Sequence, residues 1–299
     1  RRSFLTLPGT GKWSGDTMDK DATSSNLSVA HRQNRPFSFR RVSALVLRYI
    51  YLLVGSWPRM LELIYWPMFQ LILWGFITKH LLTNSSWVAE AGGVLIAAVL
   101  LWDILFRSQM GYSISFLEEM WSRNLGHLFV SPLRPYEMIA GLTCISLLRT
   151  LLGVLPATFV AIPLYHYSIY EIGLPLIAFF INLLVFGWAL GMMITALILR
   201  AGLGAESFAW LAVFAIAPIS AIYYPVSVLP DWLQTIAWTM PPVYVFEGMR
   251  EVLFNSEFHA KLLMQAMALN LFYLVLGLTI FLYSFRVARQ RGLLLQIGE

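Results

Sequence analysis

The feature that most constrains this chain is the length of its apolar runs. At about 1.5 Å per residue, a helix of about 20 apolar residues crosses the ~30 Å hydrocarbon core of a bilayer. Six segments reach that length, at roughly 60–82, 92–116, 136–164, 172–199, 205–224 and 261–286. They include near-continuous stretches such as "GGVLIAAVLLW" and "NLFYLVLGLTIFLYSF". Only 12% of the 299 residues are charged, against 58% hydrophobic. Soluble domains carry roughly 25% charged residues, so a water-soluble fold of this size could not cover itself. The reading is an all-α membrane protein with six transmembrane helices.

The cationic excess marks orientation rather than a nucleic-acid surface. The net charge is +5, but the arginines cluster on one side of the apolar blocks: Arg40, Arg41, Arg48, Arg59, Arg123, Arg134, Arg200, Arg286, Arg289 and Arg291. The other side has Lys79, Arg250 and Lys261. Cytoplasmic loops are the ones enriched in Lys and Arg, and an even number of spans returns the chain to its starting side. Both termini are therefore expected in the cytoplasm. Residues 1–36 are polar and contain no apolar core that could serve as a signal peptide. They read as a disordered tail, with the first span acting as its own insertion signal, and 292–299 reads as a cytoplasmic C-terminal tail. Met18 leaves residues 1–17 either native or an upstream extension. Cys144 is the single cysteine, so no disulfide can form within the chain.

Residues 37–57 combine Arg40, Arg41 and Arg48 with apolar residues at helical spacing. This predicts an amphipathic helix lying in the headgroup region, set apart from the first span by Pro58 and Arg59. The stretch 117–135 is a charged, helix-prone cytoplasmic loop as far as Pro132. The stretch 223–258 is a long external connection, yet it is rich in Pro, Trp and apolar residues. A solvated loop would be more polar, so short re-entrant helices buried in protein or lining a cavity are expected there.

No catalytic constellation is present. Gly11-Lys12 lacks the phosphate-binding loop pattern, because Thr6 stands where the first glycine belongs and Trp13 where Ser or Thr should follow. No cofactor or metal site is predicted, since His31, His80, His127, His166 and His259 have no metal-ligand spacing. Four ionisable residues in or near spans stand out: Glu62, Asp103, Arg107 and Arg149. Charges at that depth are costly and point to function or to pairing. Asp103 and Arg107 are four apart and can pair on one helix face. They either neutralise each other during insertion or face a polar pathway. Arg149 has no acid nearby in sequence, and Asp103 or Glu62 on another helix is its expected partner. Most tryptophans fall near span ends, where amphipathic rings favour the interface.

Three stretches resemble the permease subunits of ABC-2-type ATP-binding-cassette transporters. They are the interfacial helix at 37–57, the loop "EEMWSRNLGHLFVSPLRPYEMIAG", and "YYPVSVLPDWLQTIAWTMPPVYVFEGMREVLF". Together with the six spans the similarity runs over 37–291. The resemblance implies the ABC-2, or type V, exporter fold and a homodimer docked on two copies of a soluble P-loop ATPase, which would bind the ATP and magnesium. It implies coupling contacts at Glu118, Glu119, Trp121, Arg123 and Asn124, with Arg40 and Arg41 as a second contact. It also implies an external gate formed by Pro225, Pro230, Trp232, Pro241 and Pro242. The expected function is ATP-driven export of a lipid, glycan or other amphiphile across a bacterial cytoplasmic membrane. Two rivals differ in kind. An ion-coupled secondary transporter should show internal repeats, which the sequence lacks. A multispanning membrane enzyme should show clustered acids or histidines at one interface, and none are seen.

Overall fold

The computed structural model describes residues 37–84, 88–165 and 167–290. The tails at 1–36 and 292–299, and with them His31 and His166, lie outside those residues. The described residues form helices and turns, with no strand among them.

The amphipathic segment is helix α1, Phe39–Val54, which buries Val42, Leu45, Tyr49 and Leu53 on one face. It stops at Gly55 and Ser56, and α2, Trp57–Asn84, follows. Pro58 sits in the first turn of α2, where a missing N–H costs nothing. Helix α3 is Val88–Trp121, followed by the short α4, Leu125–Val130, and then α5, Pro135–Tyr165. Helix α6 is Leu174–Ala201 and α7 is Ser207–Ile219, preceded by a single 3-10 turn at Leu203–Ala205. The chain continues through α8, Asp231–Ala237, and α9, Pro241–Asn255, into α10, Ala260–Gln290.

Among the described residues, five helices, α2, α3, α5, α6 and α10, are long and apolar enough to cross a membrane. The expected fifth span at 205–224 differs. Its helix proper is 13 residues long and ends at Ile219. Pro218 lies in its last turn, and Ala221 just beyond adopts φ +52°, a left-handed conformation that no helix continues through. The loop expected at 117–135 is also largely helical, because α3 runs on to Trp121 and α4 follows.

Helix α3 is the central element. It buries most of its length, whereas α2 and α10 leave most of theirs exposed. Helix α6 packs against both α3 and α10. Between α6 and α10 the backbones come close: a Cβ on Gly277 would stand 2.7 Å from the Ala189 carbonyl oxygen. Nearby, Asn270 Nδ2 donates to Asn182 Oδ1 at 2.8 Å. Small residues and buried amides of this kind hold helices together where lipid removes the hydrophobic drive. Between α3 and α5, Ser146 Oγ donates to the Ser108 carbonyl at 2.6 Å and accepts from Trp188 Nε1 of α6 at 3.1 Å.

The contacts divide the bundle into two ends. Helix α1, the α3–α5 connection and the start of α7 meet at one end, where Trp121 Nε1 donates to Glu206 Oε2 at 3.3 Å. The turn after α7 meets the opposite half of α2, where Tyr223 stacks on Trp74 at 4.4 Å.

Candidate functional site

Helix α3 carries charge into its last turns because neighbouring helices supply the counter-charges. Glu119 is fully buried. It meets Arg48 of α1 at 2.9 Å, and its Oε2 accepts from Asn124 Nδ2 at 2.8 Å. Burial pushes the phenol of Tyr49 well up, and the adjacent Glu119 carboxylate adds to that rise. Glu118 faces the other way. Arg149 Nη2 donates to both its oxygens, at 2.8 and 3.0 Å, and Arg59 of α2 stands 3.7 Å away. Arg149 therefore pairs with Glu118, and the expected partners Asp103 and Glu62 are displaced. Asp103 is committed to Arg107 one turn further along its own helix, at 2.8 Å.

The end of α3 is a tight helix stop. Asn124 N–H donates to the Glu119 carbonyl at 3.0 Å and Arg123 N–H to that of Met120 at 2.9 Å. This is the paired-bond ending that usually places glycine in the left-handed position. Here Arg123 takes it, at φ +53°. The turn leaves Trp121, Ser122 and Arg123 exposed, whereas Glu118 and Glu119 are engaged within the chain. Arg40 is exposed on α1. Arg41 is bound to Glu137 through Nε at 2.8 Å and Nη2 at 2.5 Å. Glu137 also accepts the Arg134 N–H at 3.1 Å, so the same carboxylate caps α5 and anchors α1.

Between α2, α3, α5 and the start of α7 lies a cavity of about 290 Å³. Arg59, Glu62, Arg107, Glu118, Arg149 and Glu206 line it, together with Trp66, Phe106, Trp121 and Trp210. Arginines and glutamates balance three to three along this wall. Arg107 reaches the cavity because Gly153 of α5 leaves room: a Cβ there would be 2.6 Å from the Arg107 Nε. Phe106 lies 6.0 Å from Trp210 and 6.3 Å from Phe214, giving the α7 side an aromatic edge. Such a pocket offers hydrogen-bonding charge of both signs inside and apolar rings at its margin.

All four intramembrane charges singled out in the sequence are accounted for: Glu62, Arg107 and Arg149 line the cavity, and Asp103 fixes Arg107. The sequence reading missed Glu206 and Glu137. Glu137 and Glu206 each stand second in an expected span, 136–164 and 205–224, where a charge reads as a helix-end residue, so neither carries a signal of its own. At the other end of the bundle, Pro225, Pro230 and Trp232 are exposed, and Pro241 and Pro242 are buried in the first turn of α9. The residues that bind this region together are Glu247 and Arg250 of α9, joined at 3.2 Å. Burial lowers the Arg250 pKa, and Glu247 opposes that shift. Among the described residues, no group of three or more His, Cys, Asp or Glu could hold a metal ion.

The model of the family described as ABC-2 type transporter matches residues 44–254. No curated protein matches the chain.

Proposed function

Because the chain belongs to the ABC-2 type transporter family, and so is a membrane permease subunit of an ABC transporter, we propose that it forms the export pathway for an amphiphile. Two copies of the chain pair in a bacterial cytoplasmic membrane and are driven by two copies of a separate P-loop ATPase. In this reading the 3-10 turn and α7 together make the fifth of six crossings, about 25 Å at ~1.5 Å per residue, and α8 and α9 are the external re-entrant helices. The arginine-rich end, with α1 and both termini, faces the cytosol.

One observation carries the reading: Glu118 belongs both to the cavity wall and to the helix turn that ends in Trp121–Asn124. A push on the exposed turn moves the last turns of α3. It thereby shifts Glu118 relative to Arg149 on α5 and Arg59 on α2. A partner can bias a two-state protein only through contacts that differ between the states, and this ionic junction is one that such a shift would change. Trp121, Ser122 and Arg123 are then the surface that the ATPase presses. Glu118 and Glu119 transmit the movement inward, and α1 moves with them through Arg48. The polar wall takes a headgroup, and the aromatic edge at Phe106, Trp210 and Phe214 lets an apolar tail remain in lipid.

The test uses the chain purified with its ATPase and reconstituted in proteoliposomes. Arg123→Glu and Trp121→Ala are expected to leave insertion and basal ATP hydrolysis intact while transport per ATP falls about tenfold or more, equivalent to ~1.4 kcal/mol of lost coupling. Unchanged coupled transport in both variants would refute the assignment of this surface.

A further inference from the structure

The cluster around Arg250, at the end of the bundle away from the ATPase-facing turn, has no part in the mechanism above. Arg250 is 8% exposed. Its Nη2 donates to the carbonyls of Ala221, of Ile222 at 3.0 Å and of Tyr224 at 2.7 Å. Its Nη1 lies 3.2 Å from Glu247 Oε1, and that same oxygen accepts the Val226 N–H at 2.7 Å. One pair of side chains, three residues apart on α9, therefore grips the backbone at four positions between 221 and 226. The gripped turn includes Ala221 in its left-handed conformation, which a residue bearing a Cβ adopts only when its surroundings hold it there.

The turn also bridges two cavity-lining helices. Tyr223 follows α7 and stacks almost parallel, at 17°, on Trp74 of α2. Helices α2 and α7 supply Trp66 and Trp210 to the cavity wall, so the ring stack joins them beyond it. Beneath the turn, Ala221, Val226, Leu229, Ala237 and Val243 form a small apolar cluster separate from the main core. Ile222 of the turn is buried in the main core, so lifting this segment withdraws one apolar side chain from the bundle and strips a buried guanidinium of its acceptors.

We infer that Arg250 and Glu247 are the positioning residues of the closed state at this end. They seat the 220–226 turn on α9, and through Tyr223 that turn shuts the seam between α2 and α7. Opening the seam requires the turn to leave Arg250. The purpose assigned to the latch rests on the transport reading, but its geometry does not.

The experiment reads the seating of the turn directly. The full chain carrying Cys144→Ser and Val226→Cys is placed in nanodiscs with its ATPase, where both faces are accessible, and labelled with a hydrophilic maleimide. Val226 is 3% exposed, so labelling is expected to be slow. Arg250→Ala should raise the rate at least about tenfold, which corresponds to ~1.4 kcal/mol in the opening equilibrium. Arg250→Lys should fall between the two, since one ammonium cannot reproduce the guanidinium fork. Glu247→Gln should have a smaller effect, because its amide oxygen still accepts the Val226 N–H. Labelling of Ser227→Cys, at an exposed position, should not change. Unaltered Val226→Cys labelling in Arg250→Ala overturns the latch. If that variant does not insert, unaltered labelling in Arg250→Lys and Glu247→Gln does so. Faster labelling in a complex that shows no ATP-linked transport supports the latch and counts against the transport reading.

Discussion

Removing Arg149 should cost more than almost any other single truncation in the bundle. Its side chain is 7% exposed and that of Glu118 9%, so little water is available to replace the lost partner. Arg149→Ala leaves a carboxylate facing the cavity with only Arg59, 3.7 Å away and 46% exposed, as a substitute. Truncating one member of a buried pair costs about 3–5 kcal/mol, and partial rescue by Arg59 places the expectation near 3 kcal/mol. At ~2–4 °C per kcal/mol for chains of 150–250 residues, the melting midpoint of the detergent-solubilised protein should fall by about 6–12 °C. Circular dichroism at a helical wavelength follows that transition, and denaturation in mixed micelles gives the free energy. The double variant Glu118→Leu/Arg149→Met removes both charges and fills their volume, so it should return to within ~1 kcal/mol of the parent. The cycle should then report a coupling of at least about 2 kcal/mol, rising with the cost of the Glu118 single variant. A loss below ~1 kcal/mol in Arg149→Ala would refute the reasoning. So would a double variant as unstable as the sum of its singles.

Two further substitutions probe backbone geometry. Gly277→Ala should destabilise the chain by about 1–3 kcal/mol, read by the same denaturation, because its Cβ meets a carbonyl oxygen of α6 and not a movable side chain. Arg123→Gly should stabilise the α3 stop by up to about 1 kcal/mol while lowering transport per ATP, which separates the fold's preference at this position from its proposed use.

Hydropathy made the five long helices legible, because a run that must cross lipid leaves no choice of secondary structure. The break before α2 was also legible, though it falls at Gly55 and Ser56, ahead of Pro58. The shortness of α7 was hidden: its apolar composition continues past Ile219, and only the left-handed Ala221 and the hold of Arg250 show that the helix has ended. The Arg149 partner was hidden for a related reason. Glu118 and Glu119 read as part of a charged, helix-prone cytoplasmic loop, because a sequence shows charge without showing which helices bring counter-charge to it. Arg48, Arg59 and Arg149 arrive from three different helices, so α3 could extend through its acidic turn. The i,i+4 pair Asp103–Arg107 was visible because both partners share one helix.

The ion pairs of α1 also set an order of birth. Arg48 reaches a partner 71 residues later in the chain and Arg41 one 96 residues later. At ~5–20 residues per second, the ribosome has moved on for roughly 5–20 s before Glu137 exists to receive Arg41. Until then Arg41 lacks the carboxylate that holds it in the finished bundle. Arg48 can pair as soon as α3 has been made, whereas Arg41 waits for α5, so α1 is tied into the bundle in two steps.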